Sequence, residues 1–266
     1  MKGGMPVVFI HGLWLHSSSW LPWETIFRTN GYETHAPGWP GEGATVAETR
    51  MHPEKMRGVG IDTVVEHYAN IISSLPEKPI LIGHSFGGLV VQKLLGKGFG
   101  RAGIALDPAP IQGVLILSIA SLKSALPVLR NPFNYKGAYS LTLQDWHYSF
   151  ANMLTPEESE MLYEKFTIPS PCRPLFEAAA ANFMPSSPAK VDTRCASRGP
   201  LLITAGGKDQ TVPASISHAT AKLYRLSTRV TELKEFSDRG HSLVFDHGWR
   251  EVAEYSLAWL EKQLML

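Results

Sequence analysis

The chain has 266 residues but only two cysteines, Cys172 and Cys195. That is too few for a disulfide framework, and their spacing matches no zinc signature, which excludes cystine-stapled and metal-nucleated small folds. Two free thiols in a cytoplasmic protein are the expectation. Charge is sparse as well, at 18%, and nearly balanced: 25 Lys and Arg against 24 Asp and Glu, scattered for a formal net charge of +1. Nothing in this balance suggests nucleic acid or an anionic membrane surface as a partner, and long-range charge does not select the substrate. Long apolar runs are missing too. Residues 7–10, just behind Met1-Lys2-Gly3-Gly4-Met5-Pro6, and residues 114–120 are far too short to span a bilayer. The start also lacks the layout of a secretory signal. These absences predict no stable membrane anchor and a cytoplasmic location. No clustered metal ligands are evident, so neither a metal nor an organic cofactor is expected.

What is present is a composition that is 44% hydrophobic, ordinary for a globular protein and sufficient to bury a core unaided. Short apolar runs of β character alternate with longer helical patterns, which predicts a mostly parallel sheet covered on both faces. Strands are expected at residues 7–10, 32–36, 79–83, 102–106, 200–205 and 229–236. Helices are expected at residues 22–30, 62–75, 86–95 and about 249–264, with Asp62 capping the second and Gly96 stopping the third. Residues 108–199 break this rhythm. There Thr155-Pro156-Glu157-Glu158 supplies the cap, first-turn proline and acidic first turn of a helix reaching about Phe166. A second, alanine-rich helix is expected at 174–183, with Pro127, Pro132, Pro169, Pro171, Pro185 and Pro188 as joints. The stretch is read as a helical insertion. Residues 1–107 and 200–266 then form the core domain, and 108–199 a cap over the sheet.

Chemistry concentrates at three loops. Gly83-His84-Ser85-Phe86-Gly87 lies between the third strand and a helix, which is G-x-S-x-G in its strand–turn–helix setting. A serine at the apex of so sharp a turn is held in a strained backbone with its hydroxyl in the open, and the flanking glycines relieve the crowding. The helix N-terminus beyond it offers positive potential to a developing oxyanion. An incidental serine in a glycine-rich turn is the plain alternative, and the flanking strand and helix weigh against it. Gly206-Gly207-Lys208-Asp209-Gln210-Thr211-Val212-Pro213 follows the fifth strand and sets a carboxylate where it can orient a base. Asp107, just past the fourth strand, is the rival, with a turn-forming role before Pro108 as its alternative. Asp238-Arg239-Gly240-His241-Ser242 follows the last strand, and that place singles out His241 among ten histidines, completing the order Ser, Asp, His.

On these motifs the chain resembles the α/β-hydrolase family, in its order of elements from about Val7 to Leu106 and again from Pro200 to Leu264. The resemblance implies an α/β fold with a doubly wound, mostly parallel sheet of about six strands. That sheet lacks the family's two leading edge strands and carries a helical cap after the fourth strand present. It implies a triad of Ser85, Asp209 and His241, with Asp107 kept as alternative acid because some relatives place the acid there. His11-Gly12-Leu13-Trp14 takes the position of the family's oxyanion loop. The implied oxyanion donors are the backbone N–H groups of Leu13 and Phe86, while His11 is read as packing and loop hydrogen bonding. Ser85 would attack a carbonyl carbon, His241 would take its proton, Asp209 would stabilise the imidazolium, and water would release the acyl-enzyme.

The aromatic and methionine content of the insertion makes Trp146, Phe150, Met153 and Phe183, with Trp14 beside the oxyanion loop, candidate walls of an apolar pocket; packing of the cap is the alternative. The leading function is a carboxylesterase-like hydrolase of a small-to-medium apolar ester. Perhydrolase or haloperoxidase-type chemistry, carbon–carbon bond hydrolysis and hydroxynitrile cleavage on the same triad stay open, as does a non-catalytic ligand receptor. Relatives with an aspartate nucleophile are disfavoured by Ser85. The sequence sets neither the physiological substrate nor the oligomeric state.

Overall fold

The apolar runs expected as central strands are buried along their whole length, as strands covered on both faces must be. The computed structural model describes residues 4–116 and 118–265, so residues 1–3 and 266 of the expected core domain and residue 117 of the expected cap lie outside the described ones. In chain order the elements are β1 (Pro6–Ile10), α1 (Leu21–Thr29), β2 (Glu33–His35), α2 (Val46–Met51), α3 (Ile61–Ser73), β3 (Ile80–His84), α4 (Phe86–Gly96) and β4 (Ala102–Leu106). Then come α5 (Ile119–Leu129), β5 (Ala138–Tyr139), α6 (Leu143–Ser149), α7 (Pro156–Phe166), β6 (Ser170–Pro171) and α8 (Arg173–Ala179). The chain returns through β7 (Leu201–Gly206), α9 (Ala214–Leu223), β8 (Thr231–Phe236) and α10 (Trp249–Leu264).

The main sheet has the order β2-β1-β3-β4-β7-β8, with every neighbouring pair parallel. The chain winds from β1 outward to β2, then crosses back to β3 on the other side of β1. Strand order therefore reverses at β1 and β3, and the crevice beyond their C-terminal ends is the place where such sheets hold ligands. Ser85 follows β3 and the Gly12–Leu13 loop follows β1, so the sheet alone brings the serine turn and the candidate oxyanion loop together. All six expected strands form, the fourth at its expected bounds and the others within one or two residues of them. Differences lie in the helices. α2, α5, α6 and α9 were not anticipated, and Pro127 sits within α5, close enough to its end to disturb only the last turn. Asp62 is not a cap: Gly60 holds that position, and Asp62 pairs instead with Lys93 at 2.7 Å.

Between β4 and β7 the described residues form four α-helices and a two-stranded antiparallel ribbon, β5 with β6. A bridge from Leu15 to Thr167 ties this segment to the loop after β1. Under the sheet, Phe9 of β1 packs on Trp20, Trp23 and Phe27, with ring centroids 5.2, 6.5 and 5.5 Å away. Trp23 has a second task. Its indole N–H donates to the carbonyl of Val244 at 2.8 Å, anchoring the loop that follows β8. Both thiols are free, and burial pushes that of Cys172 up to about 11. Among the described residues no helix is long and apolar enough to cross a membrane.

Trp23→Ala is expected to lower the unfolding free energy by about 3–5 kcal/mol in a urea titration. Trp23→Phe, which keeps the ring packing and loses the bond to Val244, is expected to cost about 1–2 kcal/mol.

Candidate active site

Ser85 stands between β3 and α4 with φ 55° and ψ −120°, a conformation that costs a non-glycine residue about 1–3 kcal/mol. Its surroundings leave it no other. Its N–H donates to Leu106 of the neighbouring strand at 2.9 Å, and its carbonyl accepts from Gly88 and Ala109 at 2.9 Å each. A Cβ on Gly87 would lie 2.0 Å from the carbonyl oxygen of Ile10, and one on Gly83 would lie 2.3 Å from that of Gly87. Trp14 after β1 and Asp107 after β4 also have positive φ, at 63° and 42°. Backbone strain is thus gathered on one rim of the sheet, where β1, β3 and β4 end.

The loop after β1 lies against this turn, since a Cβ on Gly12 would come within 2.8 Å of that of Ser85. Among the described residues, the backbone N–H groups of Leu13 and Phe86 have no hydrogen-bond partner. The next amide along is occupied: Trp14 N–H donates to Ser170 Oγ at 2.5 Å, and its indole N–H to the carbonyl of Tyr139 at 2.9 Å, so the β5–β6 ribbon holds the loop in place. His11 is buried beneath it, with Nδ1 2.8 Å from the carbonyl of Gly12 and Nε2 2.9 Å from Glu42. Burial works to raise the Glu42 carboxyl, but His11, His16 and a hydrogen bond at Ser17 outweigh it and hold it at about 2.

Asp209 and His241 meet directly, with Oδ2 2.5 Å from Nδ1. The other carboxyl oxygen of Asp209 accepts from the N–H groups of Thr211 and Val212 at 2.7 and 2.8 Å, which fixes its orientation. A carboxylate at Nδ1 places the ring proton there and leaves Nε2 with its lone pair. That Nε2 is buried and has no partner among the described residues. Burial pushes His241 down to about 4, so the ring is neutral. His84, the residue before Ser85, brings the imidazole to the serine turn: the two histidine rings are 4.6 Å apart. Phe150 meets His241 edge-on at 4.9 Å.

Asp107 lies fully buried in the same cluster, and one donor atom from each of Asp107, Asp209 and His241 falls within 4.8 Å of the others. Its oxygens accept from the Thr204 hydroxyl at 3.1 Å and the Gly206 N–H at 3.0 Å. The spacing would admit a small cation, but each oxygen of the two carboxyls already faces a hydrogen-bonding partner within the chain, so the cluster is complete as a hydrogen-bond network. Burial first, and then the neighbouring Asp209 carboxylate, hold the Asp107 carboxyl well above the usual range. The contact with His241 Nδ1 belongs to Asp209.

A cavity of about 500 Å³ opens on Ser85 and Phe86, walled by Ile111, Val114, Leu175, Val212 and Ile216. Of the five residues that the sequence suggested for a pocket, Trp14 and Phe183 line it. Trp146 is fully buried and stacked between Phe150, at 4.7 Å, and Phe245, at 5.8 Å. Phe150 supports Trp14 and His241, and Met153 sits half-exposed beside Gly240. These three belong to the support of the His241 loop. The walls are mainly aliphatic, from segments whose composition does not distinguish pocket from core. His84, Glu42 and Ser170 also escaped the sequence reading. Only His84 carried a signal, as the variable residue before the serine.

Burial holds both His84 and His241 below the ordinary value of 6.5, with His241 itself adding to the effect on His84. As pH falls through about 6.5 the unfolded chain binds protons that the folded chain refuses. The contribution of these two rings is therefore full above that value and lost below it. The raised Asp107 and Asp209 carboxyls act in the opposite sense over the same range, so the test is a difference: between about pH 7 and about pH 5 the urea midpoint of His84→Phe is expected to gain on that of the wild type.

A family model described as the alpha/beta hydrolase family matches residues 7–255. A comparison with curated protein sequences finds no match. Similar solved structures include a methylesterase from Arabidopsis, at 17% identity and TM-score 0.67, covering 97% of this chain and 99% of that one. A monoacylglycerol lipase of Paleococcus ferrophilus is 21% identical with TM-score 0.68, over 98% and 96% of the two chains. Tomato methylketone synthase I, complexed with 2-tridecanone, is 15% identical with TM-score 0.68, over 98% and 99%. With the family model spanning nearly all of the sequence and the sheet, the serine turn and the Asp–His pair in matching order, the chain belongs to the α/β-hydrolase family.

Proposed function

We propose that the protein is a serine hydrolase that cleaves carboxylic esters of small-to-medium apolar compounds through an acyl-enzyme on Ser85, with residues 108–199 as the cap over the site. The observation that carries this reading is the strained Ser85 turn opening on an apolar cavity beside a neutral His241 already oriented by Asp209. Ser85 Oγ attacks the ester carbonyl and its proton passes to His241 Nε2. The negative charge that develops on the carbonyl oxygen is met by the N–H groups of Leu13 and Phe86, which no protein acceptor among the described residues engages. His241 returns the proton to the departing alcohol. A water molecule, deprotonated by His241, then attacks the acyl carbon and releases the acid, restoring the serine.

Asp107 completes this scheme as a neutral acid. It donates a hydrogen bond to Asp209, so the buried carboxyl pair carries one negative charge, matching the one imidazolium that forms. The methylesterase and lipase names among the structural neighbours agree with ester cleavage, and the alkyl ketone in one of them agrees with an apolar chain in the cavity. Hydroxynitrile cleavage is less well served, because no lysine or arginine lines the cavity among the described residues.

Hydrolysis of p-nitrophenyl esters of graded chain length tests the reading. The wild type is expected to show an optimum length, and Ser85→Ala to lose at least about 10³-fold in kcat. Equal turnover by the two proteins would remove Ser85 from the mechanism. In the same assay Asp209→Asn is expected to lose about 10³–10⁴-fold, while Asp107→Asn, which keeps a neutral donor, stays within about tenfold of wild type. The reverse ranking would make Asp107 the acid.

A further inference from the structure

α5 turns its apolar side outward. Ser124 and Val128 are its buried residues, while Ile119, Leu122 and Leu126, spaced to share one side of the helix, face solvent. Leu115 and Ile116 just before it, and Phe183 across from it, are exposed as well, Leu115 at 81%, Ile119 at 86% and Phe183 at 88%. Scattered apolar residues on a surface need no explanation, but a contiguous patch marks a place of contact. This patch is continuous with the cavity, because Leu115, Ile116, Leu122 and Phe183 are also cavity walls. Apolar surface therefore runs without a break from the exterior to Ser85.

The segments that carry the patch hold basic residues and no acidic ones. Residues 108–144 contain no Asp or Glu but do contain Lys123, Arg130 and Lys136, and residues 178–191 contain no acid but do contain Lys190. All four cations are exposed. In a chain with nearly equal numbers of acids and bases, α5 and the residues on either side of it thus carry Lys123 and Arg130 with no carboxylate among them. Exposed apolar side chains on a helix whose charges are Lys and Arg suit an anionic lipid surface, into which the side chains insert while Lys and Arg meet the headgroups. A second copy of the chain fits less well, since a two-fold contact would set the same cations against one another.

We propose that the face formed by α5, the residues before it and Phe183 docks on an anionic lipid surface, so that the alkyl chain of the substrate passes from the lipid phase into the cavity. The substrate half of this statement rests on the hydrolase reading above; the docking half does not. Flotation of the full chain with phosphatidylglycerol-containing vesicles and with pure phosphatidylcholine vesicles tests it. Wild type is expected to float with the anionic vesicles at least about tenfold more tightly, and to be released by salt. Ile119→Glu with Leu126→Glu, neither of which lines the cavity, is expected to lose flotation while hydrolysing a water-soluble p-nitrophenyl ester at the wild-type rate. Should that variant fail to fold, Arg130→Glu with Lys136→Glu is expected to weaken anionic binding alone.

Wild type that stays in solution with anionic vesicles would overturn the proposal, as would Ile119→Glu/Leu126→Glu protein that floats unchanged. So would a concentration-dependent dimer in light scattering that those substitutions abolish, which would assign the face to a second copy. Ser85→Ala is expected to float like wild type. Flotation without any ester hydrolysis by wild type would support the docking surface and remove the hydrolase reading.

Discussion

Ser85 keeps its positive φ because carbonyl and amide groups from both neighbouring strands close around it. Leu106 accepts its N–H, Ala109 donates to its carbonyl, and the carbonyl of Ile10 leaves no room for a side chain at Gly87. Those groups come from the ends of β1 and β4, on either side of β3, so the turn exists only once three strands are paired in register. The same closure sets Gly12 against Ser85, starts α4 at Phe86 and orients the Phe86 amide outward. Local strain at one residue is thus bound to the long-range pairing of the sheet, and the strain is tolerated because the core over-determines it. The cavity opens at this rim for the same reason: here strand order reverses and the connections diverge.

The second constraint is electrostatic. Asp107, Asp209 and His241 occupy one buried cluster, and low-dielectric surroundings forbid two uncompensated carboxylates side by side. Five of the site's hydrogen bonds sort the charge. Thr211, Val212 and the His241 ring address Asp209, whereas Asp107 receives only the Thr204 hydroxyl and the Gly206 amide besides its link to Asp209. Asp209 has the better anion site, so it carries the charge, and the proton stays on Asp107. The supporting layer of Phe150, Trp146 and Phe245 is apolar and excludes water from the imidazole.

Much of this was legible beforehand, and the reason is local. Central strands read as unbroken apolar runs because both faces are covered, and the three chemical loops lie directly after strands, where glycine and short polar residues have few alternatives. Thr155-Pro156-Glu157-Glu158 announced α7 through capping chemistry alone. The insertion resisted for the opposite reason. α5 contains a proline and an apolar face directed outward, so neither breaker nor periodicity rules describe it. Trp146 and Phe150 looked like pocket residues because aromatic content does not reveal direction; only the turn of α6 sends them toward Phe245 and His241. Asp107 was visible as a candidate acid, but its contact with Asp209 depends on how β4 and β7 align, which no local pattern records.

All of these constraints bear on the covalent event proposed for this site, the acylation of Ser85. The most direct measurement is rapid acid quench of the enzyme during turnover of an activated ester, followed by mass spectrometry of the intact chain and its peptides. The account predicts one acyl increment, carried on the peptide containing Gly83-His84-Ser85-Phe86-Gly87 and absent from Ser85→Ala. Turnover with no adduct on the chain, or an adduct placed on any other residue, would contradict it.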